Sequence, residues 1–324
     1  MELEFFFKKI FPIGKVFRKD GVIALLYHRI FDCKIDSQLL CVTPENFEKQ
    51  MIYLKEDFEI LRINELLKNL KEKKVLQRGI LITFDDGYAD NFYFALPILE
   101  KLKIPVTFFI CSENIDRDEE SWSHQLEQIF FSKKKLPEKL NSEFNGKKYI
   151  FNTANEKAIK NTYHKLHKMI RHLNKENRDK ILNLLFKWSS LIKMTREYYR
   201  TLSTDELKKM ENSELIEIGG HTVNHNLLST LNENEQRKEI EENKGHLERI
   251  INKEILAFSY PYGRKKDYNR DTIEIVKNNY QIAFSNFPGV IRNNSNIYEL
   301  PRFLVRNWDI DTFKEKINNF FLTF

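Results

Sequence analysis

The stretch GILITFDDG, residues 79–87, joins a short apolar run to two adjacent carboxylates and a glycine. An apolar run of this length that is rich in branched side chains is typical of a buried strand. In parallel α/β folds, the carboxyl ends of the strands form the face that carries functional side chains. Asp85 and Asp86 are therefore candidate functional residues, although Asp and Gly are also ordinary residues of a turn that caps a following helix.

Short apolar runs of the same kind recur along the chain and alternate with helical periods. The other candidate strands are GVIALLY (21–27), PVTFFIC (105–111), LIEIGG (215–220), ILAFSY (255–260) and QIAFSN (281–286). The predicted helices are one that follows the cap Thr43 and Pro44, and those at 91–102, 233–251 and 270–278. Strands that alternate with helices predict βα units around a parallel sheet, and the number of units predicts a barrel or a distorted barrel.

A segment from about residue 115 to residue 200 breaks this alternation. Its apolar residues keep a helical spacing over 159–173 and 181–188, and only 148–151 has a strand pattern. We interpret the segment as a helical insertion between two strands of the sheet, not as a separate domain. Its three histidines lie among charged neighbours and are expected on a solvated face: His164, His167 and His172.

A second strand end carries two histidines, in the stretch GGHTVNH at 219–225. His221 and His225 are four residues apart, a spacing that places both imidazoles on one side of a helical turn, where they can bind one cation. Histidine is scarce, with eight in the chain, so two of them at one strand end favour a metal site. The H-x-x-x-H pattern alone is also compatible with two unrelated histidines.

Three more strand ends carry candidate functional residues. In SYPYG, residues 259–263, Pro and Gly fix a turn. Tyr260 and Tyr262 either form the wall of a sugar pocket or only pack against other residues of the protein. His28 ends the first strand, where a histidine is either a catalyst or a structural hydrogen-bonding group. Arg302 lies between apolar residues, a setting that predicts a carboxylate partner. Together, the strand ends predict one face that holds carboxylates, imidazoles and a guanidinium.

With these motifs in this order, the chain resembles the polysaccharide deacetylases of carbohydrate esterase family 4, which share the NodB homology domain. TFDDG at 83–87 matches the first motif of that family, and HTVNH at 221–225 matches the second, H-[ST]-x-x-H. The resemblance covers residues 21–306 outside the insertion. It implies an α/β fold, a distorted (β/α) barrel of the NodB homology type. Residues 21–306 form this catalytic domain, with the helical insertion at about 115–200 inside it.

The resemblance also implies roles for the strand-end residues. Asp85 corresponds to the general base, and Asp86, His221 and His225 correspond to the ligands of one divalent metal ion. The expected ion is Zn²⁺, with Co²⁺, Ni²⁺ and Mn²⁺ as alternatives. The backbone N–H of Tyr262 is expected to bind the oxyanion.

The third family motif, usually R-P-P-Y-G, differs in this chain. Ser259 and Tyr260 replace its Arg and first Pro, so the base loses its usual Arg partner, and Arg302 is the best substitute. The Y-P-Y-G form and the early Y-H-R-I are similar to the branch that acts on poly-N-acetylglucosamine and related surface polysaccharides. In that branch the general acid precedes the base in the chain, which implies that His28 is the acid. Tyr260 and Tyr262 are expected to bind substrate.

The implied reaction is hydrolysis of the N-acetyl group of an N-acetylhexosamine unit in a surface polysaccharide or its lipid-linked precursor. Acetate and a free amino sugar are the products. A metal-dependent hydrolase of a small-molecule amide or formamide is one alternative, and a non-catalytic carbohydrate-binding protein on the same fold is another. Serine-hydrolase chemistry is not supported, because the chain contains no G-x-S-x-G.

Composition excludes several classes of protein. The chain has 324 residues, of which 41% are apolar and 31% charged, with 10 Gly and 8 Pro, so it can bury a large core and is not a low-complexity chain. The net charge of +6 is spread along the chain without a basic stripe, so we expect no nucleic-acid partner. The longest apolar run, 22–27, is too short to span a membrane.

The two ends of the chain predict a peripheral membrane contact. Residues 1–20 are aromatic and basic and lack the apolar stretch and cleavage site of a secretory signal. Packing of this segment on the protein itself is the alternative. Residues 307–324 predict a C-terminal amphipathic helix. Its apolar stripe consists of Ile310, Phe313, Ile317, Phe320 and Phe321.

Cysteine content adds an expectation about the cellular compartment. Cys33, Cys41 and Cys111 cannot all pair with one another, and none lies in a C-x-x-C motif. This favours a reducing compartment or indifference to redox conditions. We therefore expect a cytoplasmic protein that contacts the inner face of the membrane.

Overall fold

The computed structural model describes residues 20–74, 76–132, 135–144 and 146–324. Apart from Asp20, the predicted N-terminal aromatic-basic segment lies outside these residues. The described chain forms a mixed α/β fold around one curled parallel sheet. In this part of the chain, no helix is long and apolar enough to cross a membrane.

Eight strands of the described chain form the central sheet. In chain order, the strands of the protein are β1 (Val22–Tyr27), β2 (Arg29–Ile30), β3 (Cys41–Val42), β4 (Glu59–Leu61), β5 (Gly79–Phe84), β6 (Val106–Ile110), β7 (Lys139–Phe144), β8 (Lys147–Asn152), β9 (Ile216–Gly220), β10 (Ala257–Ser259), β11 (Ile282–Phe284) and β12 (Phe303–Leu304). The order across the sheet is β11-β10-β9-β6-β5-β1-β12, and β4 pairs with the first half of β5. No ladder joins β11 to β12 within the described ranges, so the sheet is an open, distorted barrel, as predicted.

Helices connect most of these strands. They are α1 (Pro44–Asp57), α2 (Ile63–Lys71), α3 (Leu96–Leu102), α4 (Trp122–Phe131), α5 (Glu156–Ile170), α6 (Lys175–Ser189), α7 (Thr204–Glu211), α8 (Glu233–Ile251), α9 (Arg270–Asn279) and α10 (Ile310–Thr323). Thr43 caps α1 by accepting a hydrogen bond from the Asn46 N–H, and Pro44 occupies the first turn, which confirms the predicted start. A π-helical turn, Asn91–Ala95, precedes α3.

The central strands are buried on both faces, which explains their unbroken apolar runs. In β1, Ile23 and Leu25 pack into one apolar cluster, whereas Val22 and Ala24 pack into another on the opposite face. Every residue of β5 is buried in the same way. The parallel arrangement then brings the carboxyl ends of these strands to one edge of the sheet, where the candidate functional residues lie.

The insertion between β6 and β9 contains α4, α5 and α6 around an apolar cluster of its own. It also contains an antiparallel hairpin of β7 and β8, in which Leu140 pairs with Phe151. The prediction of helices was therefore incomplete, because it included the β8 pattern but missed β7. Leu140 is the only buried residue among the described side chains of β7, so this strand has no clear apolar alternation.

The C-terminal helix α10 packs against the body of the protein. Phe313, Ile317 and Phe321 are buried, and α10 contacts α1. The helix is amphipathic as predicted, but its apolar stripe covers the core and is not available for a membrane surface. This packing does not support the predicted membrane contact at this end, and both that contact and the location of the protein in the cell stay predictions.

Two of the three cysteines are paired in the structure. Cys33 and Cys41 form a disulfide across the loop between β2 and β3, and Cys111 has a free thiol. Disulfides persist mainly in oxidising compartments. The cysteine content therefore no longer supports the expected reducing compartment.

Candidate active site

The carboxyl end of β5 carries both predicted carboxylates. Asp85 and Asp86 follow Phe84 directly, and Asp86 adopts a left-handed backbone conformation with φ of 77°. Gly87 continues in the same conformation, and a Cβ at this position would lie 2.9 Å from Ile110 Cδ1, so glycine is required. This bend in the backbone lets the two neighbouring carboxylates contact different partners.

Asp85 forms a bidentate ion pair with Arg302. The guanidinium donates to Asp85 Oδ1 and Oδ2, each at 2.7 Å, which confirms the predicted carboxylate partner of Arg302. The Ser259 hydroxyl donates to Asp85 Oδ2 at 3.1 Å and accepts from Arg302 at 2.7 Å. Burial raises the pKa of Asp85, but Arg302 and His221 outweigh it and hold the pKa below its usual value. Asp85 is therefore ionised near neutral pH.

Asp86 faces the two predicted metal-binding histidines. Its Oδ1 lies 3.3 Å from His221 Nε2 and 3.4 Å from His225 Nε2. His221 Nδ1–H donates to the Ser259 carbonyl at 2.7 Å, an arrangement that leaves Nε2 as the ligand atom. The structure therefore brings Asp86, His221 and His225 together, as the sequence predicted.

The backbone between these histidines is not the helical turn that their spacing predicted. Residues 221–225 form an irregular loop in which Thr222 and His225 have positive φ angles of 67° and 49°. The Asn224 N–H and side chain donate to Glu239 on α8, and the His225 N–H donates to the Thr222 hydroxyl. These contacts replace the helical hydrogen bonds and hold both imidazoles toward Asp86.

The residues around Asp86 fit a divalent cation. Asp86 Oδ1 is buried and has no hydrogen-bond partner among the described residues, although two imidazole nitrogens face it. A buried carboxylate oxygen in this position needs a positive charge beside it. Burial lowers the pKa of His225 to about 3, so its imidazole is neutral and can act as a ligand. One carboxylate and two imidazoles form a donor set that suits Zn²⁺ and related ions.

Cys111 adds a thiol to this site that the sequence analysis did not include. The ligand atoms of Asp86, Cys111 and His221 all lie within 4.8 Å of one another. Cys111 follows β6, the neighbour of β5, and its thiol donates to the His221 carbonyl at 3.0 Å. Its position after the apolar run PVTFFI was the signal that it ends a strand on the same edge as the carboxylates.

His28 follows β1 and lines the same cavity as Asp85 and Asp86. Its Nδ1 is buried and has no hydrogen-bond partner within the described part of the chain. Burial lowers the pKa of His28, and the charges of Asp86 and Asp85 partly oppose this shift. The structure therefore places a histidine without a structural hydrogen bond from its ring beside the candidate base.

The two tyrosines of the SYPYG turn have different positions. Tyr262 lines the cavity with its ring edge against His225 at 4.7 Å, and no described acceptor lies within hydrogen-bond distance of its backbone N–H. Tyr260 is buried, stacks on Tyr268 at 4.1 Å and donates to the Tyr298 carbonyl. The prediction that Tyr260 binds substrate is therefore wrong, because the backbone turns between the two residues at Tyr262, where φ is 61°, so that Tyr260 points into the core and Tyr262 into the cavity.

The helical insertion forms part of the cavity wall. Trp122 on α4, His167 on α5 and Arg178 on α6 all line the cavity. His167 is half-buried and packs against Trp122 with a ring distance of 4.8 Å, and burial lowers its pKa to about 4. Its expected position on a solvated face is therefore wrong. The charged neighbours in the sequence lie on the outer side of α5, whereas His167 lies on the side that faces the cavity.

Comparison with known proteins assigns the chain to a family. Residues 72–132 and 145–281, more than half of the chain, match the family model of polysaccharide deacetylase. The chain belongs to the polysaccharide deacetylase family. The predicted family and fold class are thereby confirmed, and the protein is a polysaccharide N-deacetylase, an enzyme that hydrolyses a carbon–nitrogen bond of an amide.

Individual relatives agree with this assignment. The poly-β-1,6-N-acetyl-D-glucosamine N-deacetylase of Staphylococcus aureus is 25% identical over 303 residues, which cover 89% of this chain and 80% of that protein. The Streptococcus pyogenes deacetylase PplD is 18% identical with a TM-score of 0.61, over 92% of this chain and 99% of that chain. IcaB from Ammonifex degensii is 18% identical with a TM-score of 0.61, over 94% and 99%. The two solved structures support the fold.

Proposed function

We propose that this deacetylase removes N-acetyl groups from N-acetylhexosamine units of a surface polysaccharide or its lipid-linked precursor. The observation that carries the proposal is the ion pair of Asp85 with Arg302 beside Asp86, His221 and His225. The name of the Staphylococcus aureus relative supports N-acetylglucosamine as the sugar. The cavity, about 260 Å³ in volume, opens at the edge of the sheet.

Asp85 acts as the general base in this proposal. Arg302 orients its carboxylate and keeps it ionised, so that it accepts a proton from the water that attacks the acetamide carbon. The Ser259 hydroxyl donates a further hydrogen bond to the same carboxylate. Ser259 and Arg302 together take the place of the Arg that the third family motif usually provides.

Asp86, His221 and His225 would hold one divalent metal ion, and we propose Zn²⁺. When bound, such an ion polarises a carbonyl oxygen and lowers the pKa of water, which is the chemistry that amide hydrolysis requires. Asp86 contributes the negative charge of the ligand set. The Ser259 carbonyl and the Thr222 hydroxyl hold the two histidines in position.

His28 and Tyr262 complete the proposed reaction. The Tyr262 N–H donates to the oxyanion that develops on the acetamide oxygen. His28 gives a proton to the departing amine, because an unprotonated amine is a poor leaving group. The Tyr262 side chain, which lines the cavity, offers an aromatic surface for the sugar.

Acetate release from a panel of substrates tests this proposal. The panel contains N-acetylglucosamine oligomers with β-1,4 and β-1,6 linkages, the monosaccharide and N-formyl amines. We expect release from the oligomers, loss of release after treatment with a chelator, and recovery when Zn²⁺ is restored. Hydrolysis of the small amides alone would support the small-molecule alternative, and no hydrolysis at all would support the carbohydrate-binding alternative.

Metal content of single variants tests the proposed ligands separately from activity. His221→Ala and His225→Ala should each lower the bound metal in elemental analysis. His246→Ala, which removes a half-buried histidine of α8 outside the cavity, is the matched control. Full metal occupancy in His221→Ala would show that the assignment of the ligands is wrong.

A further inference from the structure

One wall of the cavity contains two buried hydrogen-bond donors that have no acceptor. Arg171 Nε and the Tyr262 hydroxyl are buried and unpartnered within the described chain. They belong to adjacent side chains, because the Arg171 guanidinium lies over the Tyr262 ring at 4.5 Å. Both residues line the cavity. Since buried donors are normally satisfied, a ligand that brings acceptor oxygens would complete this wall.

One buried carboxylate, that of Asp267, holds two arginines at this wall. Its Oδ1 accepts from Arg171 at 2.9 Å, and its Oδ2 accepts from the backbone N–H of Arg264 at 3.1 Å. The Arg264 side chain also lines the cavity, and no carboxylate within the described ranges pairs with it. The pair of arginines therefore leaves a positive charge that no residue of the wall neutralises.

Neighbouring residues increase this excess of positive charge. Arg178 lines the same cavity, and its hydrogen bonds to described residues go to the backbone carbonyls of Asn224 and His225. Burial and Arg171 lower the pKa of His172, Asp267 opposes this shift, and Lys266 and Lys168 add to it. The other carboxylates of the cavity outside the catalytic pair are each bound to a cation: Glu113 and Asp179 to Lys175, Glu119 to Lys193, and Glu120 to Arg196.

This wall lies next to the residues that would perform the reaction. The Tyr262 ring contacts both His225, at 4.7 Å between ring centroids, and the Arg171 guanidinium, at 4.5 Å. A sugar whose acetamide reaches the catalytic residues would therefore place its neighbouring groups beside Arg171 and Arg264. Guanidinium groups bind phosphate and carboxylate oxygens with charge-assisted hydrogen bonds, whereas a neutral sugar gains little from them.

We propose that the substrate carries a negatively charged group, a phosphate or a carboxylate, next to the N-acetylated sugar, and that Arg171, Arg264 and the Tyr262 hydroxyl bind it. This inference rests on the proposed function, because it places the charge relative to the sugar that is deacetylated. Phosphate and carboxylate share the acceptor oxygens that the wall requires. Substrate probes that carry one or the other group distinguish phosphate from carboxylate.

Three probes that contain an acetamide test the preference in kinetics. They are a neutral N-acetylglucosamine trimer, the same trimer with a 1-phosphate, and a heparosan tetrasaccharide in which glucuronate alternates with N-acetylglucosamine. We expect kcat/KM for one charged probe to exceed that for the neutral trimer about 10-fold at low ionic strength, with a smaller ratio at high ionic strength. The charged probe with the higher kcat/KM shows whether the group is a phosphate or a carboxylate.

Three probes without an acetamide separate binding from hydrolysis. Calorimetry of the metal-loaded protein with cellotriose and cellotriose 1-phosphate measures the effect of the phosphate alone, and cellotriuronate replaces the phosphate with carboxylates. Tighter binding of a charged probe supports the inference even if no acetate is released, a result that would count against the proposed function. Equal binding of charged and neutral probes would overturn the inference, whether or not the neutral trimer is deacetylated.

Variants assign the effect to the two arginines. Arg264→Gln removes an exposed side chain that has no ion pair with any described residue, so the fold should be kept. The variant should reduce the ratio of kcat/KM for the charged probe to kcat/KM for the neutral probe. Arg171→Lys keeps the charge but removes the Nε donor, and Arg171→Gln removes both. Arg249→Gln on α8, outside the cavity, is the control with the same change of charge. An unchanged ratio in both Arg264→Gln and Arg171→Gln would overturn the assignment.

Discussion

Arg302 and Asp85, which are 217 residues apart in the sequence, form a bidentate ion pair with both nitrogen–oxygen distances at 2.7 Å. Both side chains are almost completely buried. Arg302 directly precedes β12, and Asp85 directly follows β5, so the pair connects two strands that are separated by β1. The removal of either partner would leave an uncompensated buried charge.

Arg302→Met should therefore affect both stability and catalysis. We expect the free energy of unfolding to fall by about 3–5 kcal/mol, because Asp85 keeps a buried charge without its partner. The pKa of Asp85 should rise, since burial is then opposed by fewer charges, and the acidic limb of the kcat profile should move to higher pH. Urea unfolding and pH–rate profiles measure the two effects.

Conservative and distant variants separate these effects from a general loss of structure. Arg302→Lys keeps the charge but not the bidentate geometry, so it should recover part of the stability and little of the kcat. Arg249→Met on the exposed surface of α8 should change neither quantity. An Arg302→Met protein with the wild-type acidic limb would contradict the role of Arg302 in orienting the base.

His28→Gln should lower kcat about 10²- to 10⁴-fold, because the amine would then leave without a proton from the enzyme. Metal content and thermal stability should remain near the wild-type values, since the His28 ring makes no hydrogen bond through Nδ1 in the described structure. Acetate release measures kcat, and elemental analysis measures the metal. A kcat close to that of the wild type would show that the proton comes from another group.

Arg178→Met should weaken metal binding, although Arg178 is not a proposed ligand. Its guanidinium is buried and donates to the carbonyls of Asn224 and His225, so it ties α6 of the insertion to the loop that carries both histidines. Loss of a group that positions a ligand typically lowers metal affinity about 10- to 100-fold. Competition with a fluorescent chelator measures this affinity. Lys187→Met, which replaces an exposed residue of the same helix, should leave the metal affinity unaltered.

Glu206 should make the stability of the protein depend on pH in the acidic range. Burial raises its pKa, but hydrogen bonds from Arg200, the Ser203 N–H and Tyr93 outweigh this and bring the pKa to about 2. Because the folded pKa lies below the unfolded value, the stabilisation is complete above about pH 4.5 and is lost as the pH falls toward 2.

Urea unfolding of Glu206→Gln at several pH values tests this prediction. At pH 7 the variant should be less stable by about 1–2 kcal/mol, a value reduced from the full linkage energy because solvent screens part of the pair. The difference should shrink as the pH approaches 2. Glu254→Gln, which changes an exposed carboxylate, should show no such trend. A difference that stays constant from pH 7 to pH 2 would contradict the prediction.

Local sequence patterns were sufficient for most of the sheet. Residues of β1 and β5 are buried on both faces, so each strand appears as an unbroken apolar run that can be recognised without a structure. The Thr43 cap and the boundaries of α8 were likewise determined by local hydrogen-bonding preferences. The β7 strand was missed because it lacks an apolar alternation, and its pairing with β8 is a tertiary contact.

The candidate site was predicted in part from the strand pattern. Parallel strands bring their carboxyl ends to one edge, so residues that follow a strand are neighbours whatever their separation in the chain. This placed Asp85, Asp86, His221 and His225 together from the sequence. Cys111 also follows a strand of this sheet, but the sequence analysis did not include it, because a single cysteine carries no motif that would have identified it.

The sequence by itself determined which residues follow the strands, and through its motifs the family to which the protein belongs. Only the tertiary structure decided which way each of these side chains points. Tyr260 is directed into the core and Tyr262 into the cavity, because the backbone turns between them and Tyr262 adopts a positive φ of 61°. The hydrogen bond from Ser259 to Asp85 and the cavity side of the insertion were decided in the same way, since contacts between distant residues depend on packing that no local pattern records.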